Sequence, residues 1–535
     1  MSKPVFKELP FSKPSLFPTD IFERIGQDHP VRLVDAVVEK LDLSILLDKY
    51  KGGGTSAYHP RMMLKVLFYA YLNNVYSCRK IEKALQENIY FMWLASNSTP
   101  DFRTINNFRG KRLKDVIHQL FGDVVKLLRD LNYLSLEVQY IDGTKIESAA
   151  NRYTFVWRKS VEKYKSDLDG KLKMILANIE SHIQSDNQEE NSLNLPQAID
   201  SATLQKKVDE LNERLKKKNR PDRAIKKDLN KITKEYLPRL KKYEDQLKEL
   251  GNRNSYSKTD VDATFMRMKD DHLGTGQTKP AYNAQISTEN QFVTNFTIHQ
   301  TSGDTTTLKP HLNKFEKLFA KKSKEIIADA GYGSQENYEF LLEQDIVPYV
   351  KFNYFHKEQT KSFKENPFQV QNLAYNEEED HYICPSGEPM VNIGTSTRVS
   401  VNGYEASVTN YEALNCEGCP LREQCHKSAG NRQIEINTQL NEYKDLVRKL
   451  LNTERGLEHR KKRAIEPEAV FGQLKYNNKF TRFTLRGLEK VNIEFALMLI
   501  GHNLRKMASF SFDFVFSLYQ HLECMRLRIN KIQVA

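Results

Sequence analysis

The chain has no hydrophobic run long enough to cross a bilayer. Its apolar stretches, at residues 66–72 and 495–500, fall well short of the roughly 20 residues a membrane-spanning helix needs. Cysteine is sparse, with six in 535 residues, which excludes a disulfide scaffold as the organising principle. There are only two tryptophans. No Gly-x-x-x-x-Gly-Lys sequence is present, so a nucleotide-binding phosphate loop is not expected. The opening residues, Met-Ser-Lys-Pro-Val-Phe-Lys-Glu-Leu-Pro, carry no apolar signal segment. A cytoplasmic protein without membrane attachment is the expectation. No internal repeat or strongly low-complexity tract interrupts the chain.

Charge, by contrast, is plentiful. Charged residues make up 28% of the chain and hydrophobic residues 39%, the balance of a globular protein. The formal net charge is +12 and the pI about 9.0. That excess favours a polyanionic partner, nucleic acid before an anionic membrane surface. A merely solvated basic surface gives the same balance, so charge alone does not decide.

Periodicity divides the chain. Residues 1–20 are Pro-rich and read as extended. Helical spacing dominates residues 31–131. Pro60 opens one helix, Ser77 is placed to cap a second over 79–85, and Thr99-Pro100 reads as N-cap and first residue of a third. The third helix carries Arg103, Asn106, Asn107, Arg109, Lys111 and Arg112, and Arg79 precedes it. A helix, a turn and a helix rich in Arg and Asn suit major-groove recognition, since Arg matches guanine edges and Asn adenine edges. A solvated polar face would look the same.

Residues 134–141 read as a strand ending in Asp142. From 158 to 250, apolar residues step by threes and fours through Val161, Tyr164, Leu168, Leu172, Leu176, Ile179 and Ile183. This predicts an amphipathic, coiled-coil-like insertion. The polar run 184–195 breaks it, and Pro221 and Pro238 punctuate its second half. Strand patterns return at 281–287, 291–299 and 324–328, the last ending in Asp329. A loop-rich cysteine region spans about 350–435, and helical spacing resumes from Leu440 across Glu468. The implied domains are 1–130 helical and DNA-binding, 131–157 the first catalytic part, 158–250 the helical insertion, 251–345 the second catalytic part, 346–435 the cysteine-rich insertion, and 436–535 the third catalytic part.

Three carboxylates stand out. Asp142 lies in Val-Gln-Tyr-Ile-Asp-Gly-Thr, Asp329 in Ile-Ile-Ala-Asp-Ala-Gly-Tyr-Gly, and Glu468 in Glu-Pro-Glu-Ala-Val-Phe-Gly-Gln-Leu-Lys. Both Asp residues are read as standing where a strand runs out into a Gly-bearing turn, and Glu468 as lying on a helix. Such a set suits hard divalent cations such as Mg²⁺ or Mn²⁺. Two such ions roughly 4 Å apart activate a nucleophile and neutralise a leaving oxygen in phosphodiester chemistry. Glu468 and Lys475 are seven residues apart, about two helical turns, which puts both on one face. Glu466 competes as the third ligand, and Glu468 is preferred because it shares that face. Asp260, Asp262 and Asp304 lie near strand patterns and are read as supporting or capping residues. Pro467 fits only if a helix starts there or is kinked.

Cys384, Cys416, Cys419 and Cys425 cluster in one region, and the Cys416–Cys419 spacing lets two thiolates grip one metal. A structural Zn²⁺ is the first reading. No metal, or an iron–sulfur cluster, are the others. His381 and His426 are substitute ligands. Cys78 and Cys524 read as buried thiols, and Trp157 as a packing aromatic.

The chain resembles the DDE transposases of bacterial insertion sequences. The likeness runs from Tyr-Ser-Cys-Arg-Lys-Ile-Glu-Lys-Ala-Leu and Thr-Pro-Asp-Phe-Arg-Thr-Ile-Asn-Asn-Phe-Arg to Tyr140-Ile-Asp-Gly-Thr-Lys-Ile-Glu and Ala328-Asp-Ala-Gly-Tyr-Gly-Ser. It continues in Glu468-Ala-Val-Phe-Gly-Gln-Leu-Lys and Phe480-Thr-Arg-Phe-Thr-Leu-Arg-Gly-Leu-Glu-Lys-Val. The nearest branch is the insertion-sequence group numbered eleven eighty-two. The resemblance implies an α/β, ribonuclease-H-like catalytic domain with an N-terminal all-α DNA-binding domain. Asp142, Asp329 and Glu468 would be its metal-binding triad, holding two ions. It also implies Arg463 and Lys475 on DNA phosphate, although related enzymes carry a Tyr where Arg460 stands and a different Arg-to-Glu spacing. The implied substrates are double-stranded DNA, as terminal inverted repeats and target, with a homodimer joining two ends. A non-catalytic DNA-binding relative, and a nuclease that cuts without joining, are the rival readings.

Overall fold

The computed structural model describes residues 21–50, 56–186, 199–216, 223–268 and 276–510. The Pro-rich start, Pro221, Cys524 and most of the polar run 184–195 lie outside them. Two compact units emerge, Met1–Leu134 with Phe495–Ala535, and Ser135–Glu494. The run from Phe495 thus packs with the N-terminal unit, where the sequence suggested catalytic domain throughout 436–535.

The first unit is helical. His29-Pro30 and His59-Pro60 each start a helix in the same way. The imidazole Nδ1 accepts the second helical N–H at 3.2 Å, and proline takes the first position, where no N–H is needed. The apolar run 66–72 is wholly buried in helix Pro60–Leu72. Against it lies the end of helix Leu488–Ser509, where Gly501 faces the Tyr71–Leu72 backbone too closely for any side chain. Ser77 stands at the N-cap of helix Cys78–Glu87, but its side chain makes no capping bond. The next expected cap is corrected. Helix Phe102–Asn107 is capped by Asp101, which accepts from the Thr104 N–H at 2.6 Å, and not by Thr99. A carboxylate is the stronger acceptor, and it lies two residues further on.

The second unit is built on a mixed α/β sheet. Its strands in chain order are β1 (Val138–Glu147), β2 (Phe155–Trp157), β3 (Ser255–Ser257), β4 (Thr264–Arg267), β5 (Thr278–Glu289), β6 (Phe292–His299), β7 (Glu325–Ala328) and β8 (Val347–Val350). β1 pairs antiparallel with β5 and parallel with β7, and β7 pairs parallel with β8. β4 and β6 share the other edge of β5. β2 and β3 form a separate ladder where the chain leaves for the helical insertion and returns. β1 starts at Val138 and runs on to Glu147, so Asp142 sits in mid-strand opposite Ile286 and not at a strand end. Gly143 continues the ladder opposite Gln285 and forms no turn. A Cβ there would come within 2.2 Å of the Gln285 side chain, so glycine serves close packing across the sheet.

The insertion is a helical bundle with its own core. Leu168, Leu172, Leu176 and Ile179 pack against Leu204, Val208 and residues from later helices. Tyr164 departs from the expected seam and is 54% exposed. The cysteine region keeps long loops but also has a sheet that the sequence does not reveal. It forms a five-stranded antiparallel sheet of β9 (Ala374–Asn376), β10 (His381–Ile383), β11 (Pro389–Val399), β12 (Glu405–Ala413) and β13 (Gln433–Ile436). Most of β11 is exposed, so its strands lack the apolar alternation that betrays a half-buried strand. Among the described residues, no helix is long and apolar enough to cross a membrane.

Beneath helix Leu308–Phe319 the sheet is polar yet buried. His311 bonds Ser287 Oγ at 2.6 Å and Thr297 Oγ1 at 2.9 Å, and His299 reaches the same Thr297 at 2.7 Å. Burial first, then the Lys314 ammonium, pushes His299 down to about 4 against the opposing pull of Asp304. An imidazole neutral in the fold but protonated near 6.5 once unfolded makes stability fall with pH. The loss starts near pH 6.5, is complete by about pH 4, and is on the order of 3 kcal/mol for this group. His299→Gln is expected to flatten the melting-temperature profile across that window. An unchanged slope would show that His299 does not carry it.

Candidate active site

Pairing fixes the first two carboxylates. Tyr140 of β1 stands level with Ile327 of β7. The same register, carried two residues past its last pair, sets Asp142 level with Asp329, which stands just beyond the end of β7. Asp329 leaves β7 and caps the short turn Ala330–Tyr332, accepting the Gly331 N–H at 2.9 Å. Glu468 comes from the first turn of helix Pro467–Gly472. The helix starts at Pro467, which resolves that proline's place, and buried Phe471 and Leu474 anchor the segment. Glu466 is buried and committed elsewhere, with Oε2 accepting the Gln291 N–H at 2.8 Å.

Arg463 joins the three. It lies in the turn Arg463–Ile465 between helices Glu454–Lys462 and Pro467–Gly472. Its Nη1 is 2.7 Å from Glu468 Oε1. Its Nη2 is 3.4 Å from Asp142 Oδ1 and 3.7 Å from Asp329 Oδ2. One guanidinium thus serves three carboxylates. Asp142 and Arg463 are deep, each side chain 11% exposed, while Glu468 at 49% lies on the open side.

A polar network around Asp304 lies beside Gly143 and Gly331. Asp304 Oδ1 accepts from Asn283 Nδ2 at 2.8 Å and Gln285 Nε2 at 2.9 Å, and the Tyr332 hydroxyl donates to Gln285 Oε1. Burial first, then the charges of Asp304, Asp142 and Asp329, holds the Tyr332 phenol far above its usual range. It therefore remains a proton donor. Asp260 is structural, accepting from Ser148, Tyr282 and the Gly487 N–H. Asp262 accepts the Leu488 N–H at 2.8 Å and a bond from Gln300.

Lys351 escaped the sequence reading. It follows β8, its N–H bonded to Ala328 O at 3.3 Å, which sets it beside Asp329. Burial first, then Arg463 and Arg460, lowers its ammonium below the usual lysine range, while Asp329 and Glu468 pull the other way. No motif marks it. Its position one residue past a parallel strand is the only signal, and that requires knowing the strand order.

The other expected residues divide. Arg79 and Arg103 are exposed and share the Phe102 ring, at 4.8 and 5.6 Å, and Asn106 and Asn107 are exposed too. Arg112 is half-buried, bonded to Lys49 O at 2.8 Å and lying over Tyr50. Arg109 is corrected. It is 4% exposed and donates to Tyr76 O and the Tyr71 hydroxyl, so it holds the helices together and reaches no outside ligand. Lys475 lies in a π-helical turn, Gln473–Asn477. That wider winding breaks the two-turn argument that set it on the Glu468 face. Trp157 packs against Phe155 and Phe265.

Cys384, Cys416, Cys419 and Cys425 line one small cavity with His426 and Arg432. His381 does not line it and instead lies 3.4 Å from Glu379. Arg432 donates its backbone N–H to Cys416 Sγ at 3.4 Å and its Nη1 to Cys425 Sγ at 3.2 Å. Among the described residues, no three His, Cys, Asp or Glu side chains are set as they stand to grip one metal ion. In both clusters an arginine stands among the would-be donors.

Three family matches cover parts of the chain. The family described as "Transposase DDE domain" matches residues 383–508, which include the four cysteines, Arg463 and Glu468. "Transposase domain (DUF772)" matches 19–111, and "RICH domain" matches 189–270. No curated protein and no solved structure matches. The two transposase matches support a DDE transposase function in DNA transposition, that of an enzyme that cleaves DNA and transfers its strands. The DDE domain carries with it a ribonuclease-H-like fold, in keeping with the mixed sheet of the second unit. Asp142 and Asp329 lie upstream of the matched DDE segment.

Removing the shared guanidinium leaves three carboxylates facing each other. Arg463→Gln is expected to cost roughly 1–3 kcal/mol of stability in metal-free buffer. Adding Asp142→Asn to it should recover part of the loss, read by thermal melting as a double-mutant cycle. A melt identical to the parent would mean that the guanidinium does not hold the triad.

Proposed function

We propose that Asp142, Asp329 and Glu468 are the catalytic triad of a transposase that cuts the ends of an insertion sequence and joins them to target DNA. The observation that carries this reading is the convergence of these three carboxylates, from two adjacent strands and one helix, on a single cation. The donor set is all carboxylate oxygen, the chemistry that Mg²⁺ or Mn²⁺ prefers. The fit is conditional, because Arg463 occupies the middle of the set and has to turn away before two ions can be held by Asp142, Asp329 and Glu468. Bound ions would supply a water made nucleophilic and a neutralised leaving oxygen.

The chain's own residues do the rest. The sheet fixes Asp142 and Asp329 relative to each other, so the reacting groups meet a preset geometry. Arg463, once released, is placed to pair with a DNA phosphate, for which its planar fork is suited. Hydrolysis of one phosphodiester at each element end leaves a free 3′-hydroxyl. Attack of that hydroxyl on a target phosphodiester breaks one such bond as another forms, so no nucleotide energy source is needed.

Exposed Arg79, Arg103, Asn106 and Asn107 support a DNA-binding role for the N-terminal helices, with Arg112 and Lys475 as further phosphate contacts. The DNA would be the terminal inverted repeats and the target. Joining two ends calls for a homodimer, and work on DNA suits the cytoplasm. The motif set favours the insertion-sequence group numbered eleven eighty-two. The four cysteines would hold a structural Zn²⁺ once Arg432 gives way, since four thiolates close the coordination shell. Metal analysis should then find about one zinc per chain, lost in Cys416→Ser. Protein without zinc would sink that part alone.

The direct test incubates the purified chain with Mg²⁺ and a labelled duplex from the element boundary. Nicking at the boundary followed by joined products is expected. Asp142→Asn should lose cleavage by about a thousandfold or more while DNA affinity stays within about threefold. Undiminished cleavage by that variant would remove Asp142 from the site.

A further inference from the structure

Beside the triad lies a group of cations that the carboxylates do not neutralise. Lys351 is half-buried, and among the described residues its ammonium makes no hydrogen bond and no ion pair. The charges that act on it are Arg463, Arg460, Asp329 and Glu468. Arg460 forms no ion pair among the described residues. Its guanidinium lies over the Phe355 ring, 5.2 Å from the centroid, with one long bond of 3.4 Å to Asn452. His356, the next residue after Phe355, feels both Lys351 and Arg460.

These groups are mounted on rigid parts. Lys351 extends β8, whose pairing with β7 sets it one strand over from Asp329. Arg460 sits in the last turn of helix Glu454–Lys462. The preceding residue, His459, is buried and bonded to the Tyr140 hydroxyl of β1 at 2.9 Å, which pins that helix to the sheet. Gly456 meets the backbone of Leu450 and Leu451 too closely for a side chain, which fixes the helix against the one before it. The end of β8 thus carries Lys351, and four residues on Phe355 carries the Arg460 guanidinium on its ring, neither cation in an ion pair among the described residues. Like charges on such mounts repel each other, and an anion between them would relieve that. The anions that act on Lys351 are Asp329 and Glu468 of the triad, and Arg463 already serves both.

We propose that Lys351 and Arg460 form a seat for one phosphate of the DNA strand that lies against the carboxylates. Lys351 supplies a point charge at the end of β8, and Arg460 a planar fork steadied by Phe355. The seated phosphate is a neighbour of the scissile one, and both cations are positioning residues. They fix where the strand enters and do not touch the reacting atoms. This inference rests on the catalytic reading of the triad given above.

The test compares Lys351→Gln and Lys351→Arg in the full chain, each carrying Asp142→Asn so that the duplex stays intact. The probe is the element-boundary duplex, with single phosphates near the cleavage position replaced in turn by neutral methylphosphonates. Lys351→Gln should weaken binding about tenfold, and the slope of log affinity against log salt should fall by about one. Lys351→Arg should restore most of both. One methylphosphonate should weaken the Asp142→Asn protein by a similar factor and leave Lys351→Gln unaffected, as coupled partners do. Equal affinity and slope for Lys351→Gln, or methylphosphonates that weaken both proteins alike, would overturn the seat while the triad stands. A wild-type chain that neither binds nor cuts the duplex would overturn both.

Discussion

Three carboxylates held within reach of one another are the constraint around which the second unit is arranged. Like charges at this spacing repel, and no apolar core brings them together by itself. Here the sheet makes the approach unavoidable. Asp142 lies on β1 and Asp329 just past the end of its parallel neighbour β7, and the helix start at Pro467 sets Glu468 within reach of the same arginine. Arg463 answers the repulsion with a single charge shared three ways. One positive charge among three negative ones leaves the site electrically unfinished. In the proposed reading, a divalent cation would complete that balance.

Beside the site lies a polar layer inside the protein. Asn283, Gln285 and Ser287 alternate along β5 on one face, and Tyr282, Ala284 and Ile286 on the other. The second set builds an ordinary apolar core. The first builds a buried network through Asp304, Tyr332 and His311 in which most groups find partners. Such layers are costly unless satisfied, and once satisfied they resist distortion. Gly143 fits this scheme, because only a residue without a side chain lets Gln285 reach across to Asp304. Mid-strand Asp142 is held by backbone pairing to β5, a stiffer mount than a strand end.

Legibility in the sequence depended on how much a short stretch can encode. Asp329 at the end of β7 was legible, because an apolar run, a carboxylate and two glycines are all local. Asp142 was found in the right motif, but its setting was misjudged, since Gly143 signals a turn locally and close packing across the sheet only in three dimensions. The sheet of the cysteine region was illegible because β11 buries little and so carries no alternation. Arg109 looked like its neighbours in a basic helix. Its burial depends on Tyr71 and Tyr76, more than thirty residues earlier. Lys351 carried no signal at all, because its meaning lies in which strand is next to which.

Charge shows the same gap between scales. The net excess of +12 points to nucleic acid but says nothing about where the nucleic acid goes. Near the triad the balance is local and uneven. Arg463 is spent on carboxylates, while Lys351 and Arg460 form no ion pair among the described residues. A phosphate arriving there would relieve the second group and also compete for Arg463. As that arginine turned toward the strand, the carboxylates would lose their cation and their demand for a metal ion would rise. On the proposed reading, substrate arrival and metal demand would be opposite sides of one charge exchange, which would tie a reactive site to the presence of DNA.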